Sequence, residues 1–156
     1  MSGNRYCLQM VSCDDDCCGS GNGVPSGSLK YAQIESGEQV VSANSKIYFN
    51  DNSFGTLELT SNGTVVLQPG TYLISLNCQV VTSGGYVAIK YFDVLSNTGL
   101  GKDCCRVSAN SGSYLSNCEG FCTLKIDSKV ELCINVSYVA GNPKIGDIYG
   151  SIIQIV

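Results

Sequence analysis

The chain has no histidine, no tryptophan and only three prolines, and charged residues make up just 14% of it. Each scarcity removes a class of protein. Without an imidazole there is no Ser–His–Asp or Cys–His pair, so hydrolase triads built on that base are excluded. The nine Lys and Arg residues are scattered without forming a run, and the net charge is −4. Nucleic acid and anionic membranes both require clustered cations, so neither is an expected partner. No segment approaches the roughly 20 apolar residues of a membrane-spanning helix. The start of the chain, MSGNRYCLQMVSC, has no apolar run longer than three residues and lacks the apolar core of a signal peptide. Synthesis in the cytosol, with exit by some route other than general export, is therefore expected. A surface this poor in charge suits a protein packed against copies of itself.

What is abundant is cysteine, with ten residues, and glycine, with eighteen. Cytosolic thiols stay reduced, so ten cysteines in an unexported chain imply either metal or oxidation after the producing cell has lysed. At 156 residues and 44% apolar content the chain is one domain with a short extension, able to build a core without a cofactor. The division falls near residue 24. Residues 1–24 form a cysteine-rich connector arm holding Cys7, Cys13, Cys17, Cys18 and the Asp14–Asp16 triplet, and the arm ends in GSGNGVPSG, which is turn and linker chemistry. Residues 25–156 read as β throughout. SLKYAQI, KIYF, GTLELT, TVVL, TYLISLNCQV, YVAIKYFDVL, CTLKI, KVELCINVSYV and IYGSIIQIV are rich in Val, Ile, Tyr and Thr and are separated by Gly, Asn, Asp or Ser. About ten short strands at this spacing predict an all-β jelly-roll sandwich with an irregular N-terminal arm.

Alternation assigns the faces. In 129–139, Val130, Leu132, Ile134 and Val136 are expected inside, and Glu131, Cys133, Asn135 and Ser137 wet. In 72–79, Tyr72, Ile74, Leu76 and Cys78 share the core face, which makes Cys78 a core thiol. The last strand is apolar on both faces: Ile148, Ile152 and Val156 on one, Tyr149, Ile153 and Ile155 on the other. A sandwich strand covers one face with its own core, so the second calls for another chain or, as the alternative, a covering loop. Each such side chain buried would stabilise association by about 1.5–3 kcal/mol.

The segments KIYFN (46–50), PGTYLIS (69–75) and GDIYGSIIQIV (146–156), in that order, resemble the trimeric jelly roll of complement heads and tumour necrosis factor. Closest in flavour is the C-terminal domain of the collagen-like filament protein of bacterial spore surfaces. The resemblance covers roughly 28–156 and implies a homotrimer about a three-fold axis, with the first, central and last strands in contact and Tyr149 near the aromatic residues of that contact. No Gly-X-Y stalk precedes the head. The arm in its place is similar, in arrangement, to the N-terminal connectors of fibre-forming spore appendage subunits.

The cysteines are then weighed by spacing. The arm reads C-x5-C-x3-C-C, unlike paired C-x2–4-C zinc motifs, and adjacent Cys17 and Cys18 do not readily reach one tetrahedron. Iron–sulfur spacings are absent. Three adjacent aspartates are too few ligands for calcium and read as a solvated spacer. There is no C-x-x-C at a helix start, so a dithiol oxidoreductase is not indicated. Glu35 and Glu38 carry no mark of paired acid–base work. No enzyme, cofactor or metal is expected.

Disulfides remain. Neighbouring cysteines at 17–18 and 104–105 point apart on an extended backbone, so each pair suits two different partners. An extended arm reaches up to roughly 80 Å, far enough to touch another trimer. Cys7, Cys13, Cys17 and Cys18 are expected to bond to an adjacent subunit, with Cys104 and Cys105, in a polar loop KDCC, as receivers. Cys118 and Cys122, flanking EGF at a loop-to-strand corner, pair locally or with Cys104 or Cys105. Such links do not close on themselves and propagate into a filament. The expected function is a structural subunit: disulfide-cross-linked trimers forming a fibre or coat on a bacterial cell or spore surface, reached without a classical signal peptide. Its partners are its own copies and a surface anchor or receptor. The alternative is a discrete trimeric receptor- or glycan-binding head, with 82–86 and 96–103 as recognition loops.

Overall fold

The computed structural model describes residues 29–50, 53–82, 85–109, 114–141 and 144–155, and within these the side chains of 81, 82, 85, 109 and 114–118 are not described. The arm cysteines and Val156 lie outside that set. Among the described residues every regular element is a strand: β1 (Tyr31–Ser36), β2 (Gln39–Val40), β3 (Lys46–Ile47), β4 (Phe54–Gly55), β5 (Val65–Leu67), β6 (Gly70–Thr82), β7 (Gly85–Asp93), β8 (Thr98–Ala109), β9 (Tyr114–Ile126), β10 (Val130–Gly141) and β11 (Lys144–Gln154). They form two facing antiparallel sheets. One runs β4-β1-β11-β6-β9 with β2 on β11; the other runs β3-β10-β7-β8 with β5 on β10. This is the jelly roll that strand count and spacing predict.

The core lies between the sheets. Tyr72, Ile74, Leu76 and Cys78 of β6 are buried as alternation requires, and Ile148 and Ile152 of β11 join them. Across the gap stand Ile89 and Tyr91 of β7 and Leu132, Ile134 and Val136 of β10. A bulge in β11 keeps its pattern in phase. Ile145 pairs with Val80 and Ile148 with Cys78, so two residues on β11 face one on β6, and isoleucines three apart both point inward.

Two local expectations are corrected. First, Cys133 and Asn135 are not wet: both are buried. Cys133 pairs with Phe92 and Asn135 with Lys46, and the Lys46 ammonium sits 3.2 Å from the centroid of the Phe92 ring. That cation–π contact folds the lysine across the sheet and seals this face. Burial of Asn135 also rules out a glycan at Asn135-Val136-Ser137. Second, residues 98–109 are a strand, not the polar loop inferred around KDCC, and 85–86 belong to β7. β8 completes the ladder on the edge of β7, from Gly85↔Ala109 to Ile89↔Cys105, and resumes at Tyr91↔Leu100. Residues 101–104 therefore stand opposite Lys90 alone, a wide bulge turned at Gly101 with φ of 72°.

The turn between β7 and β8 is held by one buried carboxylate. Asp93 Oδ1 accepts from the backbone N–H groups of Leu95 (3.1 Å) and Glu131 (3.0 Å). Its Oδ2 accepts from the Ser96 N–H (3.0 Å) and from the Ser96 hydroxyl. Burial works to raise this pKa, but the donors outweigh it and hold the carboxyl below its usual range. The folded form is thus favoured above the ordinary Asp value of about 3.9, and that contribution is lost as pH falls through the lower folded value. Asp93→Ala should cost about 2 kcal/mol, because buried amides lose their acceptor. In urea denaturation at several pH values, the gap between wild type and Asp93→Asn should shrink below pH about 4.

Candidate functional site

β11 lies in the middle of its sheet, between β1 and β6, so the face it turns away from the core is the centre of a broad surface. The registers lay out three rows. Tyr31, Ile153, Leu73 and Thr123 form one; Gln33, Ser151, Ser75 and Phe121 the next; Glu35, Tyr149, Asn77 and Glu119 the third. Phe54 stands beside Gln33 at the sheet edge. Tyr31, Ile153 and Leu73 are half-buried. Tyr149 is 48% exposed, Ile155 51%, Phe54 63% and Phe121 71%. Tyr149 and Ile153 thus point away from the core, as alternation assigns, and exposed Ile155 follows them. The missed members, Tyr31, Leu73 and Phe121, carry no signal in their own segments. They join the surface through pairing.

The polar groups on this face bond to one another. The Ser75 and Ser151 hydroxyls lie 2.7 Å apart, and Asn77 Nδ2 donates to Glu119 (3.4 Å). The Tyr149 hydroxyl donates to Asp147 (3.3 Å). The Asp147 carboxylate, partial desolvation and Glu35 raise the Tyr149 pKa, so the phenol stays neutral. The surface carries an apolar row through Tyr31, Ile153 and Leu73, a self-bonded serine pair at its centre and an acidic margin at Glu35 and Glu119, a pattern that suits burial against another protein face.

The domain thiols are not where spacing suggests. Cys105 is 5% exposed and disulfide-bonded. Cys104 is half-buried on the β8 bulge, its thiol donating to the Ile89 carbonyl at 3.3 Å and pushed up to about 12 by burial. The polar-loop picture failed because β8, although poor in β-branched residues, is held by the β7 edge. Cys118 and Cys122 do not flank a corner; both lie within β9, opposite Cys78 and Ile74. Four residues along a strand span about 13 Å, beyond disulfide reach, so these two cannot bond to each other. Cys78 is a buried free thiol raised to about 12, the core thiol expected, and Cys133 is another raised to about 11. Among the described residues no group of three or more Cys, Asp or Glu is placed to hold a metal ion.

No family model matches the chain, and no curated protein matches it. Solved structures do. An Eiger TNF from S. frugiperda aligns with a TM-score of 0.59 at 14% identity, over 82% of this chain and 93% of that one. The globular domain of a zebrafish complement 1qA protein gives 0.59 at 13%, over 81% and 98%. Murine APRIL gives 0.55 at 13%, over 80% and 100%. At these identities the likeness establishes the fold, the jelly roll of tumour necrosis factor and complement heads.

Proposed function

We propose that the chain is a self-associating structural head whose copies pack as a homotrimer through the outer face of the β11 sheet. The segment 1–24 then joins trimers covalently into an extracellular fibre or coat on a bacterial cell or spore. The observation that carries this reading is the apolar outer face around Ile153, in the middle of its sheet. A strand that is apolar on both sides gains little from water on one of them, and three copies closing about an axis would cover it. The similar jelly rolls of complement and tumour necrosis factor support the same direction.

The covalent part rests on Cys7, Cys13, Cys17 and Cys18. In this reading the arm cysteines bond to an adjacent subunit in the next trimer, with Cys104 and Cys105 as receivers. Four cysteines let one arm bond to more than one partner, which keeps the assembly open-ended. The test is negative-stain microscopy and non-reducing electrophoresis of the full chain, with and without reductant. Oxidation should give polymers that a thiol dissolves, and replacing all four arm cysteines by serine should leave discrete trimers. A clean monomer band from oxidised native material would end the cross-linking account. Discrete trimers that retain a ligand under oxidation would favour a recognition head.

A further inference from the structure

At the rim of the outer face, a cleft of about 200 Å³ opens where the free edges of the two sheets meet, bordered by Tyr91, Leu100, Cys104, Phe121 and Cys122. β8 ends one sheet and β9 the other, so no ladder joins them. Their backbones nevertheless touch. A Cβ built on Gly120 would lie 2.5 Å from the Cys104 carbonyl oxygen and 3.8 Å from the Cys104 Cβ. Cys122 follows two residues along β9 on the same face, about 7 Å further on. Both thiols are free, and both border the cleft together with Tyr91.

Tyr91 marks the place. It is 2% exposed, yet its hydroxyl has no hydrogen-bond partner in good geometry. A buried hydroxyl left this way is costly. The groups beside it are the Cys104 and Cys122 thiols, both of which burial keeps protonated.

We infer that Cys104 and Cys122 are a redox-active pair that a hydroperoxide converts to a disulfide, stitching the free edge of one sheet to that of the other. The peroxide passes one oxygen to the Cys122 thiolate; its O–O bond breaks, a sulfenic acid forms, and the second oxygen leaves as an alcohol, or as water from hydrogen peroxide, once protonated. The Cys104 sulfur then attacks Cys122. The S–S bond forms as the S–O bond breaks, and the hydroxyl leaves with the Cys104 proton as water. Two thiols are oxidised by two electrons and one peroxide is reduced. Burial of both thiols makes the step slow, which keeps the pair open during folding. The closed pair pins the 104–122 segment at the one edge of the sandwich that lacks a ladder. This inference stands whether or not the heads associate.

The test treats the full chain with hydrogen peroxide, alkylates remaining thiols in denaturant and digests with trypsin and a glutamate-specific protease. Cleavage after Glu119 separates Cys118 from Cys122. The expected product joins the Cys122 peptide to the Cys104 peptide, appears equally in Cys78→Ser, and is missing from Cys104→Ser and Cys122→Ser. The thermal midpoint should rise on oxidation by about 5–10 °C relative to Cys122→Ser. Recovery of Cys122 fully alkylated, or joined to Cys78 or to an arm cysteine, would overturn the inference.

Discussion

Replacing Ile153 with lysine should leave a folded head that sediments as a single chain, at one third of the wild-type mass. Ile153 is half-buried on the outer face, between Tyr31 and Leu73, while its neighbour Ile152 points into the core and is fully buried. The substitution therefore touches no core packing, and its intrinsic cost in a strand is within about 1 kcal/mol. In an assembly the cost multiplies. Each copy loses an apolar contact worth about 1.5–3 kcal/mol and must strip water from an ammonium, and three ammonium groups are brought to one interface. Sedimentation of the reduced protein at micromolar concentration, with a circular dichroism spectrum to show that the sheets persist, reads the outcome. An unchanged mass would remove the outer face as the contact. Tyr149→Phe separates chemistry from bulk: it removes only a rim hydrogen bond to Asp147 and should leave the mass unaltered.

How far such reasoning reaches from sequence alone depends on where the cause of each element lies. β6, β10 and β11 are legible because alternation of large apolar residues is a local property, and their core faces lie as read. β8 is not legible, because its residues Gly99, Gly101, Lys102 and Asp103 have low strand preference. It is a strand because β7 offers an unpaired edge and because Cys105 and Val107 have a core to enter. The outer face of β10 fails for the same kind of reason: nothing local announces that Lys46, nearly ninety residues earlier, will lie across Phe92. Thiol placement is the extreme case. Spacing gave Cys118 and Cys122 a corner, whereas pairing with β6 extends the strand through both. The apolar alternation of the last strand was visible, and the row that surrounds it was not, since cross-strand register sets which residues are neighbours.

The second large effect concerns the contact that brings the two sheet edges together. Gly120→Val is expected to destabilise the domain by about 3 kcal/mol. The Cβ alone would sit 2.5 Å from the Cys104 carbonyl oxygen, so backbone meets backbone and no rotamer can relieve it. Two other glycines separate space from conformation. Gly101 has φ of 72° but nothing within 4 Å of a built Cβ, so Gly101→Ala should cost about 1 kcal/mol through left-handed strain alone. Gly37 has an ordinary φ and open space, so Gly37→Ala should change stability by less than about 0.5 kcal/mol. Urea midpoints for the three variants should fall in the order Gly37→Ala, Gly101→Ala, Gly120→Val, from highest to lowest. Equal midpoints for Gly37→Ala and Gly120→Val would mean that β8 and β9 do not meet as described. Because the same contact sets the approach of Cys104 to Cys122, Gly120→Val should also lose the peroxide-dependent link between them, even at temperatures where the variant remains folded.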